Sequence, residues 1–338
     1  MFQSGGLLVT ILIFLASATV VIVASTILAR RADAIADATG IGHVWIGSVL
    51  LAIATSMPEL GTDISAVRLH QPNLAIGDLF GSSLANMLIL AVLDLIPPRG
   101  RVFKGATFEN TLSACLALLM TAMAVVFVMA RPVWTIAGVA PESFLLVLVY
   151  IGGTRAVYRN GIREIAREPR PAEARAARTS LRRPLIDFAA GAAAILVAAP
   201  ILAASAGRIA DLTGLGATFI GTWIVGLVTS LPEMVTSLTA IRIGAFDLAV
   251  GDLFGSNSFN MVIFFALDVA CPGGSIFSVA DPTHALSGML GITMTTLGLA
   301  GIVYRAERRY TLLEPGSALM IIAYVLAILM LYSRIPHH

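Results

Sequence analysis

The sequence predicts an all-α polytopic membrane protein, with ten transmembrane helices arranged as two inverted-topology five-helix repeats. Three observations carry this: the composition, the placement of basic residues, and a match of the sequence to itself. Of 338 residues, 57% are hydrophobic and only 12% are charged. A soluble domain carries about 25% charged residues. Half that charge cannot coat a water-facing surface, so a soluble enzyme and a disordered chain are both excluded. Mean hydropathy is +0.89. A net charge of +2 leaves no basic face for nucleic acid. Cys115 and Cys271 sit in or beside apolar runs, so no disulfide framework is expected.

A hydrocarbon core of ~30 Å needs ~20 apolar residues in a helix. Ten segments qualify: 6–29, 41–67, 74–96, 107–130, 139–158, 185–207, 215–241, 248–270, 283–304 and 313–333. The first is long enough to span and no A-x-A cleavage site follows, so it reads as a retained helix. Arg131-Pro132 marks the turn between the fourth and fifth segments. Nine arginines lie between Arg155 and Arg183, and basic loops stay cytoplasmic. With that loop inside, alternation puts 18 of the 22 basic residues inside and only Arg68, Arg131, Arg208 and Arg334 outside. Both termini then lie outside a cell membrane that the chain crosses many times.

Shifted by 174 positions, the sequence matches itself. Residues 46–94 and 220–268 share 22 identities in 49 positions without a gap. Ala36-Asp37-x-Thr39-Gly40-x-Gly42 likewise meets Ala210-Asp211-x-Thr213-Gly214-x-Gly216. Each copy holds five helices, and an odd number makes the second copy enter from the opposite side. The chain therefore divides into a first repeat (1–157), an Arg-rich cytoplasmic linker (158–184) and a second, inverted repeat (185–338). Inverted repeats are a transporter architecture, with the site near the midplane between the copies.

The best-matched stretches are Thr55-Ser56-Met57-Pro58-Glu59 and Thr229-Ser230-Leu231-Pro232-Glu233. Each falls mid-span, where a carboxylate costs ~2.5–3.5 kcal/mol on insertion scales and marks a functional site by default. Thr55, Ser56 and Glu59 share one helix face, as do Thr229, Ser230 and Glu233. No intramembrane Lys or Arg is available to pair with either Glu. Pro58 and Pro232 free the carbonyl four residues back. Such backbone is tolerated at membrane depth where it lines a cavity. The neighbouring clusters are Gly77-Asp78-Leu79-Phe80-Gly81-Ser82-Ser83-x-x-Asn86 and Gly251-Asp252-Leu253-Phe254-Gly255-Ser256-Asn257-x-x-Asn260. Asp78, Ser82 and Asn86 step by four along one face. Asp78 and Asp252 read either as caps of a following half-helix or as ion contacts. Carboxylate, hydroxyl and carbonyl oxygens are hard ligands that suit Na⁺ and Ca²⁺.

These paired motifs resemble the two α-repeats of the calcium:cation antiporter superfamily, in its sodium/calcium exchanger branch. The pattern there is G-T-S-x-P-E in one helix and G-N-x-x-G-S-N in the next, duplicated and inverted. The resemblance covers both halves of the chain. It implies a core of the second, third, seventh and eighth helices, across which the long first and sixth helices slide. It implies that Glu59 and Glu233 bind both Ca²⁺ and Na⁺, and that Asn86 and Asn260 form the other central pair. Thr55, Ser56, Thr229, Ser230, Ser82 and Ser256, with the carbonyls of Ala52 and Gly226, would complete the Na⁺ sites. The chain departs from the pattern where Ala54 and Val228 replace Gly, and where Asp78 and Asp252 replace Asn.

The expected activity is Ca²⁺/Na⁺ antiport by alternating access. A Ca²⁺/H⁺ antiporter of the same fold is the alternative, since buried carboxylates bind protons. An intramembrane hydrolase needs a base, and no His lies mid-span, so no enzyme is expected. A channel is disfavoured by the two-copy symmetry. No cofactor is expected beside the transported Ca²⁺ and Na⁺ (or H⁺). Inorganic cations and membrane lipid are the expected partners, and a monomer is a sufficient unit. His43, His70 and His284 read as interfacial, and Asp94 and Asp268 as solvated helix ends.

Overall fold

The computed structural model describes residues 6–95, 102–167, 181–213, 229–271, 274–304 and 315–332. Among these the regular elements are all helical, and one isolated bridge joins Ile136 to Val139. In chain order they are α1 (Leu7–Thr39), α2 (His43–Arg68), α3 (Pro72–Leu93), the short α4 (Val102–Gly105), α5 (Asn110–Ala130) and α6 (Pro141–Arg167). There follow α7 (Arg182–Thr213), α8 (Leu231–Ile243), α9 (Phe246–Ala270), the short α10 (Ile276–Val279), α11 (His284–Tyr304) and α12 (Pro315–Tyr332). Among the described residues, α1, α2, α3, α5, α7, α9 and α11 are long and apolar enough to cross a membrane. The first half of the seventh expected segment lies outside the described residues, as do Arg170, Arg175 and Arg178 of the linker.

Burial is inverted relative to a water-soluble protein. Leu8 is 70% exposed and Leu148 65%, whereas Glu59, Glu233, Asn86, Asn260 and Asp252 are all 2% exposed or less. Apolar side chains face outward because lipid is their solvent, and polar ones turn inward to find partners.

Two helices outrun their expected ends. α1 continues past residue 29 through Arg30, Arg31 and Asp33 because no breaker intervenes before Gly40. Gly40 takes a left-handed φ of +69° and donates its N–H to Ala36 O at 2.9 Å, which closes the helix. α6 runs to Arg167, so the first part of the expected linker is helical. α1 and α7 pack antiparallel along their length. Leu28 of α1 faces Gly191 of α7, and Arg31 reaches Asp187 at 2.9 Å.

The inner layer is α2, α3, α8 and α9. The amino-terminal half of α2 lies directly on α9. A Cβ at Gly251 would stand 2.8 Å from Val44 O, and one at Gly255 would collide with the Ser48 backbone. Small residues let the two backbones touch, which is how helices associate without a hydrophobic drive between them.

Asp94 and Asp268 are not solvated, contrary to expectation. They are 2% and 0% exposed. Asp94 accepts from Ser317 Oγ at 2.7 Å and Phe103 N at 3.5 Å. Asp268 accepts from Ser143 Oγ at 2.8 Å and from Ala140 N and Ile276 N, both at 2.6 Å. Each carboxylate takes up the free N–H groups of a chain reversal and pins the start of a distant helix. The residue pairs 94/268 and 143/317 are both 174 apart, so the same staple is made twice, each time across the halves.

Gly255→Val is expected to lower thermal stability of the detergent-purified protein, by about 1–3 kcal/mol for overpacking. Gly291→Ala, which meets nothing within 4 Å, is expected to melt like the parent. Thermal scanning fluorimetry checks the pair, and equal melting of both variants would contradict the close α2–α9 contact.

Candidate functional site

The site forms where α2 and α8 meet α3 and α9. Its geometry starts with a change of winding. Residues Ile46–Leu51 of α2 form a π-helical stretch, with Ala52 N–H bonded to Gly47 O five residues back. Such stretches cluster at functional sites because they redirect carbonyls and side chains. Just beyond it the α-helix resumes and runs on through Pro58 to Arg68. In the second copy Pro232 sits in the first turn of α8, two residues after the N-cap Ser230. The equivalent of the π-helical stretch there, with Gly226, lies outside the described residues.

Thr55, Ser56, Glu59, Ser82, Asn86, Ser230, Glu233, Ser256 and Asn260 are all buried, 4% exposed or less. Thr229 stands beside them, 6% exposed. Ser56 Oγ donates to Glu233 Oε1 at 3.2 Å, which joins the two copies. Thr55 Oγ1 lies 3.5 Å from Ser256 Oγ and donates toward Asp252 Oδ1 at 3.4 Å. It also returns to its own helix, to Leu51 O and Ala52 O at 3.2 Å each. The Ala52 carbonyl is thus engaged by a side chain of its own helix. Asn86 Nδ2 donates to Asn257 Oδ1 at 3.0 Å, and Asn257 Nδ2 to Ser83 O at 3.3 Å.

Neither Asp78 nor Asp252 caps a half-helix, because α3 and α9 run unbroken through both Gly-Asp pairs. The glycines narrow the helices for their neighbours instead of interrupting them. Asp252 is 0% exposed and is held by Thr236 Oγ1 at 2.6 Å, Ser237 Oγ at 3.3 Å and Thr55. Asp78 is half-buried and its carboxyl meets that of Asp63.

Thirteen buried side-chain N or O atoms among the described residues lack a hydrogen-bond partner. Six belong to the core: Glu59 Oε2, Ser82 Oγ, Asn86 Oδ1, Ser230 Oγ, Glu233 Oε2 and Asn260 Oδ1. Leaving a buried polar group unmade costs about 1–3 kcal/mol each. All six are oxygens of the paired motifs, able to accept from a donor or a cation. Charge points the same way. The ion pairs between described residues are Arg31–Asp187 and His43 with Asp33 and Asp37, none of them in the core. The charges that press on Glu59 are those of Glu233, Asp78 and Asp63. Carboxylates this close in a low dielectric need protons or cations between them.

Sequence reasoning missed Asp63, Asn257, Thr236 and Ser237. Asp63 carried a signal: it follows Glu59 by four and so shares its face. His43 is also more than interfacial, since its Nε2 stands 3.1 Å from Asp33 Oδ1 at the α1–α2 turn. That placement needs α1 to extend past residue 29, which the hydropathy pattern alone does not show.

The chain matches the family described as Sodium/calcium exchanger protein over residues 9–158 and 184–333. It is 26% identical over 328 residues to the sodium/calcium exchanger MaX1 of Methanosarcina acetivorans, covering 85% of this chain and 92% of that protein. It is 27% identical over 285 residues to the inner membrane protein YrbG of Escherichia coli, covering 81% of each. The putative antiporter CaxA of Alkalimonas amylolytica is 25% identical over 276 residues, covering 79% of this chain and 83% of that one. A solved structure of the sodium-calcium exchanger NCX_Mj shares the fold, with a TM-score of 0.73 and 22% identity. It covers 96% of this chain and 100% of its own.

The two copies predict unequal responses to one substitution. Thr236→Val removes a 2.6 Å donor from buried Asp252 and is expected to cost about 1–3 kcal/mol. At the equivalent position, the Thr62 hydroxyl bonds only Pro58 O and Glu59 O of its own helix, so Thr62→Val is expected to cost well under half as much. Comparative thermal melts decide it.

Proposed function

Because the chain belongs to the sodium/calcium exchanger family, we propose that it is a secondary active antiporter exchanging Ca²⁺ for Na⁺ by alternating access. The observation that carries the reading is the pair Glu59 and Glu233. They are 2% and 1% exposed, each has an unpartnered oxygen, and no described basic side chain pairs with them. Two carboxylates ringed by amide and hydroxyl oxygens make a hard-ligand cage of charge −2. One Ca²⁺ neutralises it, and monovalent cations do so in its place. Competition for one cage, with the empty cage costly to expose, couples the two fluxes.

In this reading Glu59 and Glu233 take the divalent ion, with Asn86 Oδ1 and Asn260 Oδ1 completing the layer. Thr55, Ser56, Thr229, Ser230, Ser82 and Ser256, with the Ala52 and Gly226 carbonyls, serve Na⁺. Asp252, closed by its own hydroxyl donors, holds α8 and α9 together and is not a ligand. Asp78 belongs with Asp63 and is treated below. The ten segments span the membrane as two inverted repeats, with the Arg-rich linker cytoplasmic and both termini outside. Supporting this are the staples made twice at a spacing of 174 residues and the antiparallel pairing of α1 with α7.

Glu59→Gln and Glu233→Gln are each expected to abolish Ca²⁺ uptake into Na⁺-loaded proteoliposomes while the melting temperature is retained. The amide keeps the volume and removes half of the charge. Near-normal uptake by either purified variant would overturn the site. Uptake driven by a pH gradient and indifferent to Na⁺ would keep the site and replace Na⁺ by H⁺. Orientation has its own test, in a background lacking Cys115 and Cys271. Arg68→Cys is expected to react with an impermeant thiol reagent from outside, and Arg242→Cys only from inside. Labelling of both from one face would refute the inversion.

A further inference from the structure

The core pairs position 63 with 78 in the first copy and 237 with 252 in the second, each couple joining the paired helices of its own copy. The second couple is self-sufficient. Ser237 and Thr236 donate their hydroxyls to Asp252, Thr55 adds a third, and the group is sealed from solvent. The first couple replaces the serine donor by a second acceptor, Asp63. Its carboxyl meets that of Asp78, yet Asp63 is 2% exposed and its Oδ2 has no partner. The neighbouring Thr62 does not help, because its hydroxyl is spent on Pro58 O and Glu59 O. Two carboxyls face to face, joined by nothing but a shared proton, are a poor structural joint and a good ligand set once a cation replaces that proton.

We propose that Asp63 and Asp78 form a second Ca²⁺-binding station, one helical turn from Glu59 toward the α2–α3 turn, which the second copy lacks. The step from Glu59 to Asp63 is about 6 Å along the helix, short enough for an ion to pass from one carboxylate to the next. Asp78 is half-buried whereas Asp252 is fully buried, so the station is open on the side where its counterpart is closed. The oxygens are hard and the fully ionised pair carries −2, which suits a divalent ion such as Ca²⁺ over soft metals. The station rests on the antiport reading for its purpose, as a place where Ca²⁺ is concentrated before entering the cage, but not for its existence.

Equilibrium binding of ⁴⁵Ca²⁺ to the purified full chain, in detergent and without Na⁺, separates the two ideas. The wild type is expected to show two classes of site. Asp63→Ser, which writes the second copy's residue into the first, is expected to lose one class and keep the other. Glu233→Gln is expected to lose the opposite class. If Asp63→Ser unfolds, Asp63→Asn and Asp78→Asn give the same readout with unchanged volume. A single class in the wild type, or wild-type binding by a folded variant at position 63 or 78, overturns the station. Wild-type binding by Glu233→Gln overturns the central cage instead and leaves the station standing.

Discussion

The constraint on which everything else depends is the presence of Glu59 and Glu233 in a core where no described basic side chain pairs with them. A carboxylate removed from water and left unpaired is among the most costly things a fold can contain. Neither residue can be displaced outward, because each is one turn from other buried polar groups on the same helix. Under the proposed antiport, the surrounding architecture makes the core a place where charge is exchanged without being exposed. Ser56 steadies Glu233 with one hydrogen bond, and the Asn86–Asn257 pair fixes the amides. Glu59 Oε2, Glu233 Oε2, Asn86 Oδ1, Asn260 Oδ1, Ser82 Oγ and Ser230 Oγ keep no hydrogen-bond partner. A fully satisfied core would be more stable and would have nothing to offer an ion.

Holding such a core requires strong contacts elsewhere, and they are placed at its ends. Asp94 and Asp268 each tie a chain reversal to the start of a distant helix, with the serines at 317 and 143 as partners. Gly251 and Gly255 bring α9 against α2 so closely that a methyl group would not fit. These are polar and steric fastenings, as a lipid-embedded protein needs, since lipid gives apolar surfaces little reason to leave it. The long α1–α7 pair lies outside this frame, with much of α1 apolar and exposed. A rigid core with a pair of long helices along its flank is a geometry in which one part can shift without unmaking the other.

Much of this was legible because membrane constraints act on sequence directly. Apolar runs give the helices, and a 174-residue spacing gives the paired motifs and hence the central residues. What the sequence did not disclose depends on which helix a side chain faces. Asp94 and Asp268 sit at helix ends, where a carboxylate is normally hydrated, and only the packing of distant turns buries them. Asp78 and Asp252 look like caps because Gly-Asp often starts a helix, but α3 and α9 continue through them, held by packing on both sides. Asp63 was overshadowed by Glu59. Its partner lies on α3, and nothing local in the α2 sequence announces that contact. The length of α1 beyond residue 29 was missed because hydropathy reports where lipid ends and not where a helix does.

The differences between the copies are as informative as the likeness. A pair of identical halves would present the same contacts twice, and neither side of the core would be distinguished. Here Ser56 reaches Glu233, while its counterpart Ser230 leaves its hydroxyl unpartnered. Asp252 is enclosed by three hydroxyls, while Asp78 is half-open against a second acid. One half is therefore tightened by internal hydrogen bonds and the other is short of donors. In a symmetric scaffold the two arrangements have comparable backbones, and cations are what the donor-poor half lacks. Supplying positive charge there relieves the half that is strained and removes the reason for the halves to differ. Under the proposed antiport, that is how ion binding and a change of access come to be the same event.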